Sequence, residues 1–170
     1  MGDKRQSLPR AISETTIVRL LTDRKKTLVL AESCTGGFIA NQITNVPGAS
    51  KIFLGGIVAY GNAAKEKFLG VRAQTLNRHG AVSEAVAREM AEGTRKRFGA
   101  DFAIAVTGIA GPTGGTKNKP VGTVFIAVTG KSGTVVERKL NAFERKKFKE
   151  MTFRQALEML HLLVENVDCS

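Results

Sequence analysis

The sequence contains no tryptophan, one tyrosine and only two cysteines, Cys34 and Cys169, in 170 residues. Two cysteines cannot build the disulfide framework of a small secreted protein, so a reduced, cytoplasmic setting is the default. Runs of apolar residues stay well below the roughly 18 that a membrane-spanning helix requires. The first ten residues, MGDKRQSLPR, lack the apolar core of a secretory signal. We therefore expect a cytoplasmic protein without a membrane segment.

The composition is that of an ordinary globular protein with an excess of positive charge. The chain is 42% hydrophobic and 24% charged, and its length predicts a single domain over residues 1–170. Lys and Arg total 26 against 15 Asp and Glu, a formal net charge of +11. Such a charge suits nucleic acid, a membrane surface or an anionic small molecule, but aromatic residues for base stacking are few. We expect an anionic small-molecule ligand and not nucleic acid.

Helix-like and strand-like segments alternate along the chain, which predicts an α/β domain. Short apolar runs at 27–31, 53–60 and 101–106 are typical of strands, and 123–129 with 134–140 predict an antiparallel hairpin. Helical spacing predicts helices at 9–24 with Pro9 in the first turn, at 38–43, 62–69 and 83–98, and a last helix with an apolar stripe from Phe153 to Val167. Two strands lead into glycine-bearing loops, where ligands bind in open α/β sheets.

The first of these loops, ESCTGG at 32–37, places Ser33 between a buried strand and a helix start. Backbone N–H groups converge at such a position and can hold an anion or an oxyanion. The spacing leaves two interpretations open, because Ser33 could be a nucleophile or Ser33 or Thr35 could simply cap the helix. Cys34 is a rival nucleophile, but neither of the two histidines, His79 and His161, is an obvious partner for it. A Cys–His hydrolase is therefore disfavoured.

The segment from Tyr60 to Lys65 offers a base for a serine nucleophile. A lysine can serve as a base when burial keeps its amine neutral near pH 7. Lys65 has apolar neighbours that could remove it from water, and the hydroxyl of Tyr60 could relay a proton between Ser33 and Lys65. The alternative interpretation is that Lys65 is an ordinary solvated helix lysine.

The second glycine loop, TGIAGPTGG at 107–115, has four glycines whose exposed N–H groups could cradle a phosphate or a carboxylate. A connection without a ligand is the alternative. Arg145 could bind a phosphate with two hydrogen bonds, whereas the lysines that follow it are more typical of a solvated surface. No His, Cys and carboxylate cluster has metal-ligand spacing, and no dinucleotide-binding G-x-G-x-x-G occurs. We expect neither a metal nor a cofactor.

Five motifs occur in an order that resembles the CinA C-terminal domain family: AESCTGG at 31–37, AYGNAAK at 59–65, HGAVSE at 79–84, TGIAGPTGG at 107–115 and KPVGTVF at 119–125. The resemblance covers about residues 10–166. It implies a three-layer α/β/α domain with a mixed β-sheet. It also implies a metal-free hydrolase that converts the carboxamide of nicotinamide mononucleotide to nicotinate mononucleotide and ammonia, in pyridine nucleotide recycling. Members of the family usually form homo-oligomers, most simply dimers.

By motif, the resemblance makes Ser33 the nucleophile and Tyr60 and Lys65 its partners. The predicted substrate contacts come from the two glycine loops and the start of the last helix: Thr35, Gly36, Gly37, Thr107, Gly108, Ala110, Gly111 and Arg145. In particular, we expect N–H groups near Gly36 and Gly37, or of the 107–111 loop, to hold the oxyanion.

The chain departs from the family pattern near Arg145. Phe143-Glu144 stand where the family usually has Gly-Asp, and Lys149 stands where it often has a second arginine. Lysine keeps the charge but loses the planar fork of arginine, so the phosphate contacts are affected more than the acyl chemistry. The alternative to an enzyme is a non-catalytic, competence- or damage-linked domain that regulates or binds a nucleotide.

Overall fold

A mixed five-stranded sheet forms the centre of the protein. The computed structural model describes residues 12–167. The strands are β1 (Leu28–Glu32), β2 (Phe53–Val58), β3 (Phe102–Gly108), β4 (Thr123–Gly130) and β5 (Gly133–Leu140), in the spatial order β2-β1-β3-β4-β5. β2, β1 and β3 run parallel, while β4 and β5 form the antiparallel hairpin that the sequence predicts.

Within residues 12–167, six α-helices cover the two faces of this sheet. They are α1 (Glu14–Asp23), α2 (Phe38–Thr44), α3 (Asn62–Leu69), α4 (Ala73–His79), α5 (Glu84–Phe98) and α6 (Arg145–Val167). Large side chains of β1 and β3, such as Leu30 and Ile104, pack with α1, α2 and α6 on one face. Small side chains, such as Ala31 and Ala105, face α5 on the other, which lets that helix approach closely. The predicted three-layer α/β/α domain is confirmed.

Two helix boundaries and one whole helix differ from the sequence prediction. α1 begins at Glu14 and not near Pro9, which lies outside the described residues, because the Ser13 hydroxyl caps it by accepting from the Thr16 N–H. α4 is not predicted at all, since only two of its residues, Thr75 and Leu76, are buried. α6 begins before the apolar stripe, at Arg145, where the preceding Glu144 carboxylate accepts from the first N–H groups of the helix.

The sheet order brings three separate loops together at one edge. The strands β2, β1 and β3 are adjacent and parallel, so their carboxyl ends lie side by side. The Ser33 N–H donates to the Val106 carbonyl across 3.1 Å, and the Ala59 N–H donates to the Glu32 carbonyl across 2.8 Å. The hydrogen bonds between the strands therefore continue one residue beyond the ends of β1 and β2. They hold the loops of both glycine motifs beside the turn at Tyr60. Within residues 12–167, no helix is long and apolar enough to cross a bilayer.

Candidate active site

A buried lysine contacts a buried serine at the centre of this edge. The Nζ atom of Lys65 lies 3.0 Å from the Oγ atom of Ser33, 2.9 Å from the Ala59 carbonyl oxygen and 3.1 Å from the Tyr60 carbonyl oxygen. Lys65 is only 1% exposed. It lies in the first turn of α3, directly after the turn at Tyr60, so the side chain reaches back beneath its own chain to the end of β1. The sequence prediction that these two residues meet is confirmed by this contact.

The surroundings of Lys65 favour the neutral amine. Burial lowers the pKa of Lys65 from its ordinary value, and the nearby Cys34 opposes this shift only in part. No carboxylate forms an ion pair with Lys65 among residues 12–167. A neutral amine has two hydrogens and one lone pair, which match two carbonyl acceptors and one hydroxyl donor. Lys65 can thus donate to Ala59 and Tyr60 and accept the proton of Ser33.

Cys34 is poorly suited to be the nucleophile. Its thiol is buried, and burial raises the pKa of Cys34 to about 12. The thiol is therefore protonated at neutral pH, and the thiolate is the reactive form. Neither His79 nor His161 lines the cavity that contains Cys34. Cys34 and a histidine therefore do not meet in this cavity.

A cavity of about 270 Å³ opens above Ser33 and Lys65. Eight of the predicted site residues line it: Ser33, Tyr60, Lys65, Thr107, Gly108, Ala110, Gly111 and Arg145. The structure thus brings the second glycine loop and the start of α6 to the end of β1. The other lining residues are Cys34, Asn62, Ala81, Val82, Ile109, Thr113 and Gly114.

Three predicted substrate contacts lie elsewhere. Thr35, Gly36 and Gly37 do not line the cavity, and Thr35 is fully buried. The Gly36 N–H donates to the Ser33 carbonyl, and the Gly37 N–H donates to the Glu32 carboxylate. Positive φ angles of 62° and 92° at the two glycines reverse the chain into α2, which a residue with a Cβ adopts only at a cost. Both N–H groups are already engaged, which leaves the 107–111 loop as the other source expected for the oxyanion donors.

Glu32 is a structural residue of the site that the sequence analysis missed. It is 2% exposed, and its carboxylate accepts from the N–H groups of Gly37, Ile39 and Ala40 at 2.8–3.1 Å. These are the unpaired N–H groups at the start of α2, so Glu32 performs the capping that was considered for Ser33 or Thr35. In the sequence, the only sign of this role is an acidic residue at the end of a strand. The Glu32 side chain reaches the start of α2 only because the tight turn at Gly36 and Gly37 brings the helix back over it. Ser33 is left free to face Lys65.

Tyr60 is oriented differently from the predicted proton relay. Its side chain is 63% exposed, and its hydroxyl lies 3.5 Å from a guanidinium nitrogen of Arg145. Because the Lys65 amine contacts Ser33 directly, no group is needed between them. The Tyr60 hydroxyl instead belongs to the rim of the cavity, and only its backbone carbonyl touches the lysine.

The rim of the cavity is held by a small set of polar contacts. Arg145 donates to the Gly111 carbonyl, which ties the second glycine loop to α6. The Thr107 hydroxyl donates to the Ala81 carbonyl at 2.8 Å, which fixes the opposite wall. Ala81 and Val82 of the HGAVSE motif line the cavity without having been predicted, because the backbone groups that they contribute leave no side-chain signal in the sequence. No group of three or more His, Cys, Asp or Glu residues in the described part of the chain could hold a metal ion.

Comparison with known proteins decides the family. The description of the matching family is CinA C-terminal domain, and the match spans residues 11–164. The chain belongs to the CinA C-terminal domain family. The crystal structure of the competence/damage inducible protein CihA from Agrobacterium tumefaciens superimposes on this CinA domain with a TM-score of 0.86 at 41% sequence identity, covering 88% of this chain and 92% of that one. The CinA superfamily protein ECK1530/EC0983 of Escherichia coli has a TM-score of 0.82 at 35% identity, covering 96% and 99%.

Several longer proteins contain a related domain. This CinA domain is 59% identical over 115 residues to a CinA-like protein of Thermotoga maritima, which covers 68% of this chain and 28% of that protein. It is 47% identical over 161 residues to a CinA-like protein of Anaeromyxobacter sp. (strain K), which covers 95% of this chain and 38% of that protein. The chain thus spans well under half the length of these curated relatives.

Proposed function

We propose that this CinA domain is an amidohydrolase that deamidates nicotinamide mononucleotide to nicotinate mononucleotide and ammonia. The observation that carries the proposal is the 3.0 Å contact between the Ser33 hydroxyl and the buried amine of Lys65. A domain that only binds a ligand has no use for a buried lysine without a carboxylate partner. The burial of this amine disfavours its charged form and is compensated only by two carbonyl groups.

The proposed reaction uses the serine and the lysine in two half-reactions. Lys65 Nζ takes the proton of Ser33 Oγ while that oxygen bonds to the carboxamide carbon of the substrate. The resulting ammonium of Lys65 then gives a proton to the departing nitrogen, so the C–N bond breaks and ammonia leaves. Water attacks the acyl ester, Lys65 takes its proton, and the proton passes to Ser33 Oγ as nicotinate mononucleotide is released.

The tetrahedral oxygen in this reaction needs donors that are not already used. Among residues 12–167, the Ala110 N–H has no protein acceptor and the Cys34 N–H has only its own thiol sulfur, and both residues line the cavity. Cys34 directly follows the nucleophile, which is where the oxyanion donor of many serine hydrolases is found. We assign these two N–H groups to the oxyanion in place of Gly36 and Gly37. Loss of one such donor typically slows catalysis by about 100- to 1000-fold.

The substrate phosphate would bind at the rim beside Arg145. The cavity of about 270 Å³ is small, so the pyridine ring would enter it while the ribose phosphate stays near the opening. Arg145 supplies a planar guanidinium at that opening, and the net charge of +11 attracts an anionic substrate from solution. This assignment supports an anionic nucleotide as the ligand of the site.

The decisive experiment is a single-turnover assay of ammonia release from nicotinamide mononucleotide by the Ser33→Ala variant. Ser50→Ala, at an exposed serine outside the cavity, is the matched control. We expect the first variant to lose activity and the control to retain it. A native rate in Ser33→Ala would remove the nucleophile, and absence of ammonia release from the unmodified chain would favour the non-catalytic regulatory alternative.

A further inference from the structure

Asn62 lines the cavity and has no role in the reaction proposed above. It is the first residue of α3, and Gly61 before it supplies no side-chain cap. Asn62 and Lys65 are three residues apart on this helix, so their side chains leave the same face. From that face, the Lys65 amine reaches the Ser33 hydroxyl. Asn62 therefore belongs to the wall of the cavity that carries the reacting amine.

The carboxamide of Asn62 is free to bind a ligand. It has no hydrogen-bond partner in the described part of the chain, and the residue is exposed. Three other polar side chains of the cavity already contact a protein group: Ser33, Thr107 and Arg145. The Asn62 amide offers two N–H donors and a carbonyl oxygen with two lone pairs. Among residues 12–167, no other carboxamide side chain lines the cavity.

The hydrolysis of a carboxamide makes a demand on the site that the hydrolysis of an ester does not. After Ser33 has added to the carbonyl carbon, the substrate nitrogen carries two hydrogens and one lone pair. The ammonium of Lys65 can protonate that lone pair only when both N–H bonds point away from it. The electron pair of the C–N bond then passes to the nitrogen, which leaves as ammonia. An acceptor for one N–H bond would hold the nitrogen in this orientation.

We infer that the Oδ1 atom of Asn62 accepts a hydrogen bond from the leaving nitrogen of the substrate and makes the site selective for amides over esters. The inference rests on the proposed function, because it adds a contact to the same reaction. Cys34 and Ala110, whose N–H groups are assigned to the oxyanion, lie in the two glycine loops, whereas Asn62 lies on α3. The oxygen and the nitrogen of one planar carboxamide point in different directions and can face these separate walls together.

The Thr107 hydroxyl is a rival acceptor in the same cavity. Its hydrogen is donated to the Ala81 carbonyl, so its oxygen can still accept a hydrogen bond. Thr107 belongs to β3, and its residue is only 1% exposed. Asn62 is the better placed of the two, because it lies one helical turn from the amine that protonates the nitrogen. The two residues can be separated by experiment.

The test compares nicotinamide mononucleotide with the methyl ester of nicotinate mononucleotide, whose leaving group has no N–H bond. Asn62→Leu has a side chain of similar size without polar atoms, and Asn62→Ala is a second variant. In single-turnover assays, we expect the ratio of the amide rate to the ester rate to fall by about 10- to 100-fold in both. Asn41→Leu, at an exposed asparagine of α2 outside the cavity, is the matched control and should keep the native ratio.

The isotope effect of ¹⁵N on ammonia release gives a second readout. It should increase in Asn62→Leu, because breaking of the C–N bond becomes slower relative to the attack of Ser33. Circular dichroism checks that the variants are folded.

An equal loss of both rates in Asn62→Leu, or an unchanged ratio, would overturn the inference and leave the proposed function standing. A fall of the ratio in Thr107→Val in place of Asn62→Leu would assign the acceptor to Thr107 and overturn it as well. If the unmodified chain releases neither ammonia from the amide nor methanol from the ester, the proposed function itself fails and the inference fails with it.

Discussion

Replacing Lys65 by methionine separates its chemical role from its structural one. Methionine has a similar length and no charge, so it fills the same buried space without the amine. Loss of a general base slows a reaction by about 100- to 10,000-fold, and we expect a decrease in that range for the single-turnover rate with nicotinamide mononucleotide. Lys67→Met, at an exposed position of the same helix, is the control and should keep the native rate.

The same substitution has a small and calculable effect on stability. The carbonyls of Ala59 and Tyr60 each lose a donor, and an unsatisfied buried acceptor costs about 1–3 kcal/mol. Removing the amine also removes the cost of burying its charged form, which offsets the loss of these donors. At a pH below the folded-state pKa, that cost is about 1.4 kcal/mol for each unit by which burial lowers the pKa of Lys65. The two effects oppose each other, so we expect the free energy of unfolding to change by about 2 kcal/mol or less. That corresponds to roughly 4–8 °C in Tm for a chain of this size.

The lowered pKa of Lys65 also predicts a pH dependence of stability with a definite sign. The unfolded chain binds this proton more tightly than the folded one, so the free energy of unfolding rises with pH between the folded pKa and the ordinary value of 10.5. This contribution is complete above 10.5 and is lost as the pH falls through the folded pKa. Denaturant unfolding across this range should show the rise in the native protein and its absence in Lys65→Met. A native rate or an unchanged pH profile in Lys65→Met would refute the assignment of the base.

Two further substitutions test the cap of α2 and the rim. Glu32→Gln leaves one acceptor oxygen for three N–H groups, so we expect the free energy of unfolding in urea to fall by about 1–3 kcal/mol. Glu66→Gln, at an exposed position, is the control. Equal stability of the two variants would contradict the capping role. Arg145→Met should lower kcat/KM for nicotinamide mononucleotide by about 10- to 100-fold more than for the phosphate-free nucleoside, the effect of losing a hydrogen bond to a charged group, because the lost contact with Gly111 affects both substrates alike. An equal loss for both substrates would place the phosphate elsewhere.

The sequence predicts the sheet and the meeting of Ser33 with Lys65 because both depend on strong local patterns. The buried strands are continuous apolar runs in the sequence. Neighbouring parallel strands place their carboxyl ends at one edge of the sheet, whatever conformation the loops adopt. The short helix predicted over residues 62–69 is observed as α3, and Lys65 lies in its first turn. The family resemblance adds catalytic roles for Ser33, Tyr60 and Lys65, and these roles stay predictions.

The remaining parts of the site depend on interactions that no local pattern carries. Glu32 caps α2 only because Gly36 and Gly37 turn the chain back over it, and the same turn uses the N–H groups that were assigned to the oxyanion. The Tyr60 hydroxyl faces Arg145, which is 85 residues away in the chain. α4 has too few buried residues to produce a helical stripe. In each case, contacts with distant parts of the chain determine a conformation that the local sequence does not specify.

The hydrogen bond from the Ser33 N–H to Val106 has a consequence for how the protein fails when heated. The amide of this residue is the final hydrogen bond between β1 and β3, so the backbone that carries the hydroxyl stays in place beside Lys65 until that bond opens. The middle of a sheet opens last in most proteins, close to complete unfolding. Loss of activity on heating and thermal unfolding should therefore occur at the same temperature. A thermally stabilised variant of this domain would keep Ser33 beside Lys65 up to its Tm.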